Sequence, residues 1–219
     1  MRGRGLFFVS AVSGLAVVVL IALLRLTDVA PIGPEGTGIG LSHLNKTVFD
    51  TFGVNLLWYK VTEGLGILAI LIALVFAVVG IVQLIKRKSI FKIDREILAL
   101  GCLYILLAAL YVFFEKVTVN FRPIIMPDNT APEASFPSSH TMLICVIMGS
   151  VIILMQKYVK QAALCRVLRI ICFTVICITV TGRLLSGVHW FTDILGGILI
   201  SICLLSAFAG VIETLAKEK

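Results

Sequence analysis

Charge is scarce in this chain. Only 14% of its 219 residues are Asp, Glu, Lys or Arg, where a soluble domain carries about 25%. Too few charges remain to cover a water-facing surface, which excludes a disordered chain and a soluble nucleic-acid binder. Histidine is limited to three residues and tryptophan to two. The six cysteines contain no C-x-x-C pair, and all but Cys165 (Cys102, Cys145, Cys172, Cys177 and Cys203) fall inside apolar runs. They read as small buried hydrophobes, so a disulfide or metal framework is excluded as well. Solenoid repeats and low-complexity tracts are also missing.

What is present is apolar: 59% of the residues, with a mean hydropathy of +1.09. A bilayer-spanning helix needs about 20 mostly apolar residues. Six stretches meet or approach that length, at 6–26, 65–85, 97–114, 141–155, 168–180 and 190–209. The fold expected is therefore an all-α integral membrane protein, six transmembrane helices in a bundle forming a single domain over 1–219. The fourth and fifth stretches are short and stop against polar residues on one side, as helices ending at a site would. The first follows MRGRG, is too long for a signal-peptide core and lacks an A-x-A cleavage site, so it reads as a retained span.

The net charge of +7 would suit a nucleic-acid partner, but its placement fits a membrane better. With an even number of spans, both termini share a side with loops 86–95 and 157–169. Six of the 19 basic residues lie on the other side: Arg25, Lys46, Lys60, Lys116, Arg122 and Arg183. The remaining thirteen cluster with the termini, which the positive-inside rule makes cytoplasmic. Loops 27–63, 116–140 and 182–189 then face outward from a plasma (inner) membrane. In the first of these, Leu41, Leu44, Val48 and Phe52 recur at spacings of three and four. They predict a short amphipathic helix in the outer interface, although tying the first two spans together is the commoner use of such a stripe.

All three histidines (His43, His140, His189) fall on the outward side. Ionisable residues at span ends are functional candidates, and three segments carry them. In EKVTVNFRP, 115–123, Pro123 breaks the helix, and Arg122 offers a five-donor fork suited to phosphate or a side chain that snorkels to headgroups. In FPSSH, 136–140, Pro137 and Ser138 form a helix-start signature. Its backbone N–H groups and the Ser138 and Ser139 hydroxyls form an anion site, with His140 in the first turn; an ordinary N-cap is the alternative. In GRLLSGVHWFTD, 182–193, His189 and Asp193 are four apart and share a helical face, where a carboxylate on one imidazole nitrogen raises the nucleophilicity of the other. Gly187 permits a turn that folds Arg183 back towards His189. No further Asp, Glu or Cys cluster supplies three metal ligands.

Taken together, these motifs resemble the type-2 phosphatidic acid phosphatase superfamily, the membrane branch that shares its site with vanadium haloperoxidases. That family's pattern is Lys, six residues, Arg-Pro; then Pro-Ser-Gly-His; then Ser-Arg, five residues, His, three residues, Asp. Arg122-Pro123, Pro137-Ser138-Ser139-His140 and Arg183…His189…Asp193 match it in order. Three positions depart from it. Glu115 stands where the Lys is expected, with Lys116 rotated about 100° further round the helix. Ser139 replaces a Gly, and Gly182 replaces a Ser.

The resemblance implies a lipid phosphatase that uses neither metal nor cofactor. His189 would attack phosphorus, His140 would protonate the leaving oxygen, and Asp193 would orient His189. Arg122, Arg183, Ser138, Ser139 and Lys116 would hold the phosphate. Undecaprenyl pyrophosphate is the first substrate expected, with phosphatidylglycerophosphate and phosphatidic acid as competitors. Transfer to an acceptor lipid and non-catalytic lipid binding are the alternative functions. The partners implied are the bilayer and a lipid phosphate, with no nucleic acid and no obligatory protein partner.

Overall fold

Asn55 begins the longest helix of the protein. Its side-chain oxygen accepts from the backbone N–H groups of Leu57 (3.0 Å) and Trp58 (3.4 Å), satisfying two of the donors that a helix N-terminus leaves free. In the computed structural model, which describes residues 2–127 and 129–217 (without the side chains of Arg2 and Gln156), this helix is α3, Leu56–Arg87. The others are α1 (Arg2–Leu26), α2 (Ser42–Phe52), α4 (Arg95–Lys116), α5 (Ser139–Tyr158), α6 (Ala162–Ser186) and α7 (Phe191–Lys217). Two isolated bridges, Ala30 with Ile39 and Phe121 with Ala134, are the only β-type pairing among the described residues. Of the basic residues that set the expected orientation, Lys219 and the Arg2 side chain lie outside the described part.

Among the described residues five helices are long and apolar enough to cross a membrane, namely α1, α3, α4, α6 and α7; α5, 20 residues long, occupies the place of the fourth expected span. The protein is a multi-pass membrane protein, its helices studded with exposed apolar side chains such as Phe8, Leu71 and Ile105. The fifth span is not short, as the sequence suggested: α6 has 25 residues and continues through TGRLLS, so Arg183 sits in its last turn and not in a loop. Likewise α3 begins nine residues before the apolar run at 65. Its 32 residues extend about 48 Å at 1.5 Å per residue, well beyond the ~30 Å of hydrocarbon. The polar stretch from Trp58 to Gly64 is thereby helical.

Helix α5 is the centre of the molecule. Ile144, Val146, Ile147 and Met148 are almost completely buried, packed against α6, α7, α3 and α4. Along the other side of α7 runs α1, where Ser10 donates to the Cys203 carbonyl at 2.9 Å and Gly14 faces the Cys203 sulfur. Small residues at such a seam let helix backbones approach in lipid. The cysteines are all free, but only Cys145, Cys165 and Cys172 are buried; Cys102 and Cys177 lie exposed on the apolar exterior.

Helix α2 forms where the stripe of Leu41, Leu44, Val48 and Phe52 predicts a helix. Its buried positions are the polar Ser42 and Asn45, whereas Leu44 and Phe52 are exposed. The reason is hydrogen bonding. Asn45 donates to Gly40 O (2.9 Å) and Thr192 Oγ1 (3.0 Å) and accepts from the Thr192 N–H (3.2 Å), which docks α2 over the start of α7. Asp28 caps α2, accepting from the His43 N–H and Ser42 Oγ, each at 2.8 Å. These bonds, the backbone one from His43 foremost, hold its carboxyl down at about 2.

Candidate active site

The site forms where the N-termini of α5 and α7 meet the C-terminus of α6. Segment 117–138 doubles back on itself: Arg122 N–H donates to Glu133 O and Ser135 N–H to Asn120 O, both at 2.9 Å. This brings Arg122 and Ser135 to one place. The Ser138 N–H donates to Asp193 O (2.9 Å), tying the two helix starts together. Trp190 braces the corner through its indole N–H to Phe121 O (2.7 Å). Gly187 caps α6 at φ 65°, ψ 13°, a left-handed conformation suited to glycine, and turns the chain towards His189.

His189 is 4% exposed and precedes α7, so it does not share a helix face with Asp193 as the spacing suggested. Its Nδ1 lies 3.8 Å from Asp193 Oδ2, beyond hydrogen-bond range. Ser135 fills the gap. Its hydroxyl lies 3.1 Å from His189 Nδ1 and donates a short hydrogen bond to Asp193 Oδ2. That carboxylate also accepts from the Trp190 N–H at 2.9 Å. With its proton given to the carboxylate, Ser135 Oγ accepts from Nδ1–H, which leaves the Nε2 lone pair free. Nε2 is buried and without a partner. Burial, followed by the positive charges of Arg122, Arg183 and His140, holds this imidazole well below the usual histidine range, so it is neutral at pH 7.

Two guanidinium groups of the site share this condition. Nε and Nη1 of Arg122, and Nε and Nη1 of Arg183, are buried without hydrogen-bond partners. Arg122 Nε stands 3.3 Å from Glu133 Oε2 as an ion pair only. Buried donors are normally satisfied, and unsatisfied charged ones are costly. An anion is the ligand that such a constellation fits. Arg122 and His189 line a small cavity of about 70 Å³ together with Tyr111, Glu115, Ser135 and Ser139.

A second cavity of about 620 Å³ lies between α3, α4 and α5, walled by apolar side chains including Ile70, Ala73, Leu74 and Leu107; Glu63, Ser139 and His140 are among its polar lining. Tyr111, Ser139 and Met142 line both cavities. Glu63 carries a polar arrangement that the sequence did not disclose. Its Oε1 accepts from Arg183 Nη2 (2.9 Å) and from His140 Nε2 (3.0 Å).

The structure thus brings together Arg122, Arg183, His140, His189, Asp193 and Ser139. Ser138 is fully buried, its N–H committed to Asp193 and its hydroxyl accepting from Thr141 Oγ1 at 3.0 Å. Lys116 is exposed on the last turn of α4 and is absent from the lining of either cavity, whereas Glu115 lines the small one. Gly182 has a packing reason: a β-carbon there would stand 2.7 Å from Thr62 Cγ2 and 3.1 Å from the Trp58 ring. Ser135 and Glu63 were missed because they act from outside the motifs. The weak signal available was an acidic residue, Glu63, just before the apolar run at 65. Among the described residues, no three His, Cys, Asp or Glu side chains converge so as to hold a metal ion.

Comparison with solved structures finds the same fold in a transmembrane PAP2-type phosphatidylglycerophosphate phosphatase from Bacillus subtilis. The match has a TM-score of 0.60 at 18% identity and covers 95% of this chain and 96% of that one. No curated protein sequence is similar enough to count as a match. The sequence does match the family description of the PAP2 superfamily over residues 68–216, a stretch that holds Arg122, His140, Arg183, His189 and Asp193. This chain therefore belongs to the PAP2 superfamily.

Proposed function

We propose that this protein is a lipid phosphatase that removes phosphate from a lipid phosphate or pyrophosphate through a phosphohistidine. The observation that carries the reading is the partnerless, buried His189 Nε2 in one cavity with the open guanidinium donors of Arg122. Arg122, Arg183 and Ser139 hold the phosphoryl oxygens; Lys116, exposed, and Ser138, fully buried, are assigned no direct contact. His189 Nε2 forms a bond to phosphorus as the bond to the lipid oxygen breaks, and His140 gives that oxygen its proton. Neutral His140 then takes a proton from the water that attacks the phosphohistidine, releasing phosphate and restoring both histidines. Asp193, through Ser135, keeps the His189 proton on Nδ1 and balances the charge that the ring acquires. Fixed positive charge aimed at the phosphoryl oxygens is the main source of rate in such transfers.

The lipid tail lies in the 620 Å³ apolar cavity. Six helices, α1 and α3 to α7, cross the bilayer, with α2 lying in the outer interface on its exposed Leu44 and Phe52. The excess of Lys and Arg beside the termini supports an outward-facing site. Undecaprenyl pyrophosphate is the first substrate in this reading. Phosphatidylglycerophosphate is the second, favoured by the name of the structurally similar Bacillus subtilis protein.

The deciding experiment is phosphate release by the purified protein in detergent with excess EDTA, offered undecaprenyl pyrophosphate, phosphatidylglycerophosphate and phosphatidic acid. Release that persists in EDTA and disappears in His189→Ala is expected. No release from any lipid, or equal release by the variant, overturns the proposal.

A further inference from the structure

Helix α3 presents one face to the site over two turns. The Tyr59 ring lies 5.1 Å from the Arg183 guanidinium, Thr62 abuts Gly182, and a β-carbon on Gly66 would stand 2.9 Å from His140 Cδ2. Residues 59, 62, 63 and 66 are spaced by three and four, so they share a face. Glu63 is the charged member of that face. One of its oxygens accepts from both Arg183 and His140, 120 and 77 residues away in sequence. A surface ion pair between flexible side chains has no such fixed geometry. Here Arg183 is 1% exposed and stacked, and the ring of His140 is confined against Gly66.

Resting on the phosphatase reading, we propose that Glu63 is a positioning residue for the protonation of the leaving group. It holds the His140 ring towards the lipid oxygen and turns the Arg183 guanidinium so that Nε and Nη1 are left for phosphate. Charge supports the assignment. His140 is faced by Arg183 from α6, by Arg122 from the segment before α5 and by His189 from the turn before α7; Glu63 from α3 is the anion among the groups that act on it. A protonated ring amid these cations needs that carboxylate. Placement supports it too. Glu63 and His140 line the apolar cavity, on the side of the leaving lipid, whereas His189 and Arg122 line the small one. Nucleophile and acid thus stand on different sides of the phosphoryl position. During the step the His140 proton passes to the lipid oxygen as the P–O bond breaks and the bond from His189 Nε2 forms; Glu63 remains a carboxylate throughout.

The test compares two leaving groups on one tail: dodecyl phosphate, whose alkoxide needs a proton, and a nitrophenyl phosphate bearing the same chain, whose phenolate does not. General acid catalysis is worth about 10²–10⁴-fold. Glu63→Gln is expected to lower kcat/KM for dodecyl phosphate about 10²-fold and for the aryl ester less than about 10-fold. Glu63→Asp, which retains the charge on a shorter stem, should lie between Gln and wild type. Glu63→Gln added to His140→Ala should cost nothing further on dodecyl phosphate, since one residue acts through the other. Equal losses on both esters, or additive losses in the double variant, would make Glu63 a structural ion pair and overturn the proposal. The Asp variant decides the same point if Gln does not fold. His189→Ala serves as the separate control: if it leaves turnover of both esters intact, the phosphatase mechanism fails irrespective of Glu63.

Discussion

His189 Nδ1 and Asp193 Oδ2 stand 3.8 Å apart, too far for a hydrogen bond, and the Ser135 hydroxyl bridges them. The proton on Nδ1 is therefore fixed through an intermediary. A hydrogen bond to a charged group is worth about 1.5–3 kcal/mol, so Ser135→Ala is expected to lower kcat/KM for phosphate release roughly 10- to 100-fold. Ser135→Thr, which keeps the hydroxyl, should recover part of that loss. A wild-type rate in the alanine variant would mean that Asp193 reaches the ring directly during turnover.

Gly182 occupies a position where the family carries serine, and the close approach of α3 accounts for it. Gly182→Ser would force a side chain between Thr62 and Trp58. Overpacking of this kind costs about 1–3 kcal/mol. Thermal unfolding in detergent should show a lower Tm than wild type, with no gain in phosphate release to match the restored family residue. An unchanged Tm would show that α3 and α6 are packed less tightly than the structure has them.

His189 also makes stability depend on pH. Its folded pKa is held well below the ordinary value, by burial first and by neighbouring cations second. Below about pH 6.5 the unfolded chain therefore binds a proton that the folded chain refuses. Stability from this residue is highest above that pH and falls as the pH drops towards the folded value. Wild-type Tm should decline between pH 7 and pH 5, and His189→Gln should decline less over the same interval. Identical declines would place the ring in a more hydrated setting than the structure gives it.

The apolar cavity predicts a chain-length effect. Ala73→Phe fills part of the space between α3 and α4 without touching His189 or Arg122. KM should rise for long-chain lipid phosphates and stay nearly constant for a short-chain analogue such as butyl phosphate, with kcat on the short analogue unchanged. A uniform change across chain lengths would move the tail out of this cavity.

The site was readable in the sequence to the extent that its chemistry sits in short motifs. Pro137 to His140 and Arg183 to Asp193 lie at helix ends, where the chain changes from apolar to polar over a few residues; Arg122-Pro123 lies in segment 117–138, because α4 already ends at Lys116 and Pro123 does not break it as the sequence suggested. The helix spans were readable for a related reason: a bilayer demands long apolar runs, and the runs are visible as such. Helix limits were not, because a cap and not hydropathy decides where a helix begins. Asn55 extends α3 back through Glu63, and TGRLLS extends α6 forward through Arg183, although both stretches are too polar to count as span.

Composition and order alone therefore determined the class of the protein, its candidate nucleophile and acid, and the arginines suited to phosphate. Only the tertiary structure decided how they are joined. Ser135 stands 54 residues from His189, and Glu63 stands 120 from Arg183. Neither separation has a periodicity to read, because contacts between helices depend on which faces pack, and that is set by the close approaches at Gly66, Gly182 and Gly197. The same packing turned the polar Ser42 and Asn45 of α2 inward. The hydrogen bonds of Asn45 to α7 satisfy buried polar groups that an apolar face would have left without partners.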